Sequence, residues 1–177
     1  MDSDLPNWES IVRTHGPMAF DTAWRILGHT ADTEDVVQDA LLDAFRLHGH
    51  NPVKNWGALL RHLTTRRAID RLRKRRFARS LSNDPAASDP PSPQSEQPES
   101  AAEQQELADR LRRALARLSA REAGVFSLRH FGELSNTEIA ETMKISADAV
   151  GIALHKARKK LKELLGQPET AGRRTRP

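Results

Sequence analysis

Three observations predict an all-α fold of two small helical domains joined by a disordered linker. Apolar residues recur at helical spacing through most of the 177 residues. No stretch alternates as a half-buried strand does, and the segment from Ser80 to Ser100 is almost free of large apolar residues. That segment contains Asp84-Pro85, Asp89-Pro90-Pro91, Ser92-Pro93 and Gln97-Pro98, and it cannot bury enough surface to offset the entropy of ordering it. An apolar share of 37% is low for one compact globule and fits two small units better. The chain therefore divides into a unit over residues 1–79, a flexible linker over 80–103, a second unit over 104–166 and a disordered tail over 167–177.

In the first unit, Trp8, Ile11 and Val12 start one helix, and Phe20, Ala23, Trp24 and Leu27 give a second that ends near Gly28. Thr30 to Asp35 supplies caps and N-terminal acids for a third, whose inward stripe is Val37, Ala40, Leu41, Ala44 and Phe45. Asn51-Pro52 marks a loop, and a fourth helix from about Trp56 turns Leu59, Leu60, Leu63, Ile69 and Leu72 inward.

In the second unit, Ser119 to Glu122 opens a helix carrying Val125, Phe126 and Leu128. Ser135-Asn136-Thr137-Glu138 has capping-box spacing, and Ile139, Ala140 and Met143 give the helix it opens one apolar face, up to Lys144-Ile145. Ser146 then caps a last helix with Val150, Ala153, Leu154, Ala157, Leu161 and Leu164 on one stripe and Lys156, Arg158, Lys159, Lys160 and Lys162 outside it. Two capped helices around a tight turn, the second amphipathic and basic, have the form of a DNA-reading helix-turn-helix. Taken alone, the same residues also describe a plain helical hairpin with a solvated lysine face.

Charge is segregated along the chain, although the net value is only +4. Asp32, Glu34, Asp35, Asp39 and Asp43 occur with no lysine or arginine between them, and Asp35, Asp39 and Asp43 repeat every four residues on one face. Such a face is either solvated or, being uncompensated, a docking surface for a basic partner. Arg61, Arg66, Arg67, Arg71, Arg73, Lys74, Arg75, Arg76 and Arg79 follow on the fourth helix against the single acid Asp70, a density that marks contact with a nucleic-acid backbone.

The same sequence narrows the alternatives. Without cysteine there are no disulfides or thiolate metal sites. His48-Gly49-His50 has no further ligand at metal spacing, and the other histidines are scattered. No glycine-rich phosphate loop or nucleophile-base pair is present, so neither an enzyme nor a cofactor is expected. No apolar run is long enough to span a bilayer, and the start, Met1-Asp2-Ser3-Asp4, is unlike an export signal. A cytoplasmic protein with no membrane insertion is expected.

The order of an acidic helix, a Trp-led basic helix, a proline-rich linker and a helix-turn-helix resembles the bacterial RNA polymerase sigma factors of the extracytoplasmic-function type. Three blocks carry the resemblance: Ala31 to Ala40, Trp56 to Arg76 with Arg67-Ala68-Ile69-Asp70-Arg71-Leu72-Arg73, and Leu111 to Leu165. It implies that Asp32, Glu34, Asp35, Gln38 and Asp39 meet core RNA polymerase. It implies further that Arg66, Arg67, Arg71, Lys74 and Arg75 hold promoter DNA beside the minus-ten element. The loop from His48 to Asn55 would lie where relatives catch an unstacked base. Trp56 is a candidate stacking platform there, though its register with Leu60 and Leu63 favours core packing.

Insertion of the last helix into the major groove at the minus-thirty-five element would bring Ser146, Asp148, Ala149, Ile152 and His155 near base edges, with Lys156, Arg158 and Lys159 near phosphates. An inhibitory anti-sigma factor is implied as a further partner. The chain departs from the family pattern at Gly151-Ile152-Ala153, which offers no side-chain hydrogen bond, at Lys144, where the turn commonly has glycine, and at Arg66, where asparagine is common. The competing readings are a stand-alone helix-turn-helix regulator that does not bind polymerase and a DNA-processing enzyme or its accessory subunit. The acidic block ahead of a separate basic helix argues against the first.

Overall fold

A computed structural model describes residues 7–49, 53–81 and 99–166, and every regular element among the described residues is a helix. The expected base-capture loop lies partly outside these residues. The centre of the proline-rich segment, the N-terminus and the arginine-bearing tail lie wholly outside them.

Helix α1 spans Trp8–Leu27 and opens on Asn7, whose Oδ1 accepts from the Ser10 amide at 3.0 Å. It replaces the two helices expected here, because Gly16-Pro17 does not break it. Proline removes one donor, but Ile11 on one side and Ala19, Thr22, Ala23, Ile26 and Leu27 on the other bury a single continuous face, which outweighs the local penalty. The helix ends at Gly28, whose φ of 66° is left-handed and whose amide returns to the Trp24 carbonyl at 2.8 Å.

Helix α2 spans Thr30–His48 and runs antiparallel to α1; its cap is His29 rather than Thr30. Val36, Ala40 and Ala44 are buried, but Phe45, expected inward, is 58% exposed and leans on the Trp8 ring with centroids 5.0 Å apart. Helix α3 spans Trp56–Leu81, with Asn55 Oδ1 accepting from the Ala58 amide at 2.9 Å, and buries Leu60, Leu63, Ala68, Ile69 and Leu72.

Helix α4 spans Glu99–Leu115, so it begins inside the segment expected to be linker. Helices α5 (Ala120–His130) and α6 (Asn136–Met143) each open on a complete capping box, Ser119 with Glu122 and Ser135 with Glu138. Lys144 ends α6 in the left-handed region at φ 53°, and the Ser146 hydroxyl accepts from the Ala149 amide at 3.1 Å to start α7, Ala147–Gly166.

Three apolar clusters hold these helices. Ile11, Ala40, Ala44, Leu60 and Leu63 pack at one end of α1–α3, with Trp8 and Trp56 against them. Val125, Leu128, Leu134, Ile139, Val150, Ala153 and Leu154 join α5, α6 and α7. The third cluster crosses between the halves: Ile26, Leu27, Val36, Ile69 and Leu72 meet Leu115, Leu118, Ala123, Ala157 and Leu161. Backbone carbonyls at helix ends reinforce this closed arrangement. Arg112 Nε donates to the Arg25 carbonyl at 3.3 Å, Arg76 Nη1 to that of Ala116 at 3.3 Å, and within the second half Arg110 Nη2 to that of Leu165 at 2.6 Å.

Candidate functional site

Two charged surfaces stand out, one on α2 and α3 and the other on α7. On the first, the acids and the arginines face each other. Arg67 donates through Nε and Nη2 to Asp43 Oδ2 at 2.9 and 2.6 Å, and through Nη1 to Asp39 at 3.2 Å. One turn on, Arg71 donates through Nε and Nη2 to Asp32 Oδ1 at 3.0 and 2.6 Å and reaches Asp35 at 3.3 Å, while Arg75 pairs with the other Asp32 oxygen. The two helices run antiparallel, so four-residue steps on one match four-residue steps on the other.

This ladder corrects the expectation of an uncompensated acidic face, since four of its acids have guanidinium partners on α3. Asp32 is only 7% exposed, so its carboxylate stitches α2 to α3 and offers no open docking surface. Hydrogen bonding to Asp43 raises the Arg67 pKa above the ordinary arginine value, and hydrogen bonding to Asp32 does the same for Arg71. Glu34, Asp35, Gln38 and Asp39 remain exposed on the outer side of α2. On α3, Arg66 and Lys74 are exposed, whereas Arg67, Arg71 and Arg75 are half-buried against the acids.

Trp56 is half-buried in the apolar cluster of α1–α3, its ring edge-on to Trp8 at 5.2 Å and tilted against His48 at 5.4 Å. Two of its neighbours are therefore aromatic rings of the protein itself.

The second surface follows from the register of α7. Val150, Ala153, Leu154, Ala157 and Leu161 turn inward. That leaves Ser146, Asp148, Ile152, His155, Lys156, Arg158 and Lys159 exposed together, with Ala149 half-buried at their edge. Ile152 is 57% exposed, and a Cβ on Gly151 would meet nothing within 4 Å. Lys160 does not belong to this face, because its Nζ sits 2.8 Å from both carboxylate oxygens of Glu122. Burial works to raise the Glu122 pKa, but hydrogen bonds from Lys160 and Ser119 outweigh it and hold the carboxyl below the usual range.

Sequence reasoning missed the ladder and the arginines that close the two halves. The ladder had a readable signal in the matched spacing of Asp35, Asp39 and Asp43 with Arg67, Arg71 and Arg75. Nothing comparable marks Arg76 and Arg112, whose acceptors across the two halves are backbone carbonyls. Among the described residues there is no group of three side chains placed to hold a metal ion, and no helix long and apolar enough to cross a membrane.

Two family models match the chain, sigma-70 region 2 over residues 11–86 and sigma-70 region 4 over residues 108–161. The chain belongs to the sigma-70 family. Two of the relatives it resembles are sigma factors of the extracytoplasmic-function branch. It is 25% identical to the ECF RNA polymerase sigma factor SigE of Mycolicibacterium smegmatis over 163 residues, covering 92% of this chain and 63% of that one. It is 24% identical to the ECF sigma factor SigW of Bacillus subtilis over 169 residues, covering 92% and 90%. It is 27% identical to the sigma factor YlaC of the same species over 159 residues, covering 88% and 90%. The fold matches that of the sigma factor RpoE crystallised with the anti-sigma factor NepR from Bartonella quintana, at a TM-score of 0.57 and 17% identity over 92% of this chain and 98% of that one. It also matches CnrH in complex with the cytosolic domain of CnrY, at a TM-score of 0.57 and 22% identity over 90% and 87%. Regions 2 and 4 of the family correspond to the α1–α3 half and to the second half from within α4 into α7.

Proposed function

We propose that this protein is a cytoplasmic sigma factor that binds core RNA polymerase and directs promoter-specific transcription initiation, lending specificity to an enzyme without being one. The observation that carries the reading is the presence, in one chain, of an exposed polar face on α2 and an exposed basic face on a capped helix-turn-helix. Glu34, Asp35, Gln38 and Asp39 are the residues placed to meet a basic polymerase surface. Arg66 and Lys74, with Arg67, Arg71 and Arg75 behind them, face the backbone of minus-ten DNA. At the minus-thirty-five element, Asp148, Ala149, Ile152 and His155 lie against base edges, and Lys156, Arg158 and Lys159 against phosphates.

Working units over residues 1–79 and 104–166 belong to the same reading. Elements about 25 base pairs apart are separated by roughly 85 Å along a duplex. Two units sharing one apolar cluster cannot reach both, so promoter engagement requires the closed arrangement to open. An anti-sigma protein that stabilises a closed or covered form is the corresponding inhibitory partner; the similar sigma factor RpoE is crystallised with the anti-sigma factor NepR.

The test is binding to the cognate core RNA polymerase by the wild type and by an E34K/Q38K variant whose fold is checked by circular dichroism. Saturable binding that the variant loses supports the reading. Absence of binding by folded, inhibitor-free wild type overturns it and leaves a stand-alone DNA-binding regulator.

A further inference from the structure

The ladder between α2 and α3 has two tiers. In the inner tier, the Asp43 side chain is 17% exposed and holds Arg67 through two donors, and the Asp32 side chain is 10% exposed and holds both Arg71 and Arg75. In the outer tier, Asp39 is 55% exposed and Asp35 is 64% exposed, and each makes a single, longer contact, at 3.2 Å to Arg67 and 3.3 Å to Arg71. Inner pairs of this kind fix structure. Outer pairs are exposed, single and readily exchanged for other counter-charges.

The outer acids also carry the conflict in the site. Asp35 and Asp39 belong to the face offered to polymerase, and they lie against the guanidinium groups offered to DNA. A phosphate approaching Arg67 or Arg71 therefore meets a carboxylate within a few ångströms, and like charges that close oppose binding.

We propose that Asp35 and Asp39 mask Arg67 and Arg71 toward DNA, and that polymerase cations docking on these two carboxylates lift the mask. The proposal rests on the sigma reading for its trigger. Arg67 and Arg71 stay oriented throughout, since Asp43 and Asp32 continue to hold their Nε and Nη2 groups. Lifting the mask changes the charge around the arginines without refolding the helices. Because linkage is reciprocal, DNA bound at the arginines also raises the affinity of the carboxylates for polymerase. A factor built this way discriminates against DNA when free and accepts it once docked.

The experiment measures fluorescence anisotropy of a labelled mixed-sequence duplex, and of its separated strand, with the free protein at low salt. Wild type is compared with D35N/D39N and with E103Q/E106Q, which makes the same charge change on exposed positions of α4. The expected result is a gain of about five- to tenfold for D35N/D39N and a much smaller one for the control. The logarithmic salt slope should steepen by about 1 to 2, and the gain should vanish in an R67Q/R71Q background.

With saturating core polymerase, wild type should gain more DNA affinity than D35N/D39N does. An unchanged affinity in D35N/D39N, or an equal gain in the control, overturns the mask. If D35N/D39N loses helix content, D39N alone is read against E103Q by the same criterion. Failure of the wild type to bind core polymerase overturns the sigma reading and the trigger with it, while the masking effect is still read from DNA alone.

Discussion

Arg112 of α4 lays its guanidinium against Gly28, so closely that a Cβ at Gly28 would stand 2.5 Å from Arg112 Cζ. The same side chain donates to the carbonyl of Arg25, so α1 is closed at its C-terminal end by a residue from the other half of the molecule. Gly28→Ala is expected to cost about 2 kcal/mol, from the left-handed backbone and the displaced arginine together. In an R112A background the same substitution should cost about 1 kcal/mol, the backbone share alone. A double-mutant cycle by urea unfolding reads the difference, and a cycle with no coupling would show that the contact carries no energy.

Lys144→Gly should stabilise the second half. Lys144 holds φ 53° and ψ 47° while its amide reaches back to the carbonyls of Ala140 and Glu141, a conformation glycine adopts without the Cβ penalty. The expected gain is about 0.5–1 kcal/mol, seen as a higher denaturation midpoint at unchanged slope.

Acid should weaken the α5–α7 contact through Glu122. Its folded pKa lies below the ordinary glutamate value, so its stabilisation is complete above that value and is lost as pH falls through the lowered one. Glu122→Gln should cost about 1–2 kcal/mol at neutral pH, and its stability should converge on that of the wild type in strong acid. Unfolding curves across the acid range check this, and a difference that stays constant with pH would remove the ion pair from the account.

Leu115→Ala probes the shared core. Leu115 is fully buried, and the cluster around it draws on both halves. The loss should be about 2–5 kcal/mol. Trp8, Trp24 and Trp56 all lie in the first half, so their fluorescence should report the shift together with the far-ultraviolet signal, in one transition. A tryptophan signal unmoved by this change would mean that the halves unfold independently.

Salt dependence of DNA binding should separate the lysines of α7. Replacing Lys156 or Lys159 by alanine should lower affinity for all sequences alike and reduce the logarithmic salt slope by about 1 each. Replacing Lys160, which is engaged by Glu122, should lower stability and leave the slope unchanged.

What the sequence made legible was local chemistry. Both serine-glutamate capping boxes, the glycine end of α1 and the register of α7 depend on residues within a few positions of one another, and each stands in the structure. Where an element depends on distant packing, the pattern misled. Gly16-Pro17 carries the signature of a break, yet the face running from Ile11 to Leu27 holds α1 in one piece. Phe45 fits an inward stripe by spacing, yet it lies at the edge of the bundle beside Trp8. The acids and arginines of α2 and α3 were legible singly, but their mutual neutralisation needs the antiparallel pairing of two helices. The apolar cluster joining the halves is built from Leu115, Leu118 and Leu161, residues that read equally well as belonging to a self-contained second domain.

Gly151 stands just past the first turn of α7 with open space where a side chain would begin. A glycine there costs the helix about 1 kcal/mol relative to alanine, so most replacements would strengthen the fold and none would collide with it at Cβ. In evolutionary terms the position is a vacancy on the exposed face of α7. On the proposed reading that this face enters the groove, substitution at this single codon would add a recognition side chain at no cost to the fold.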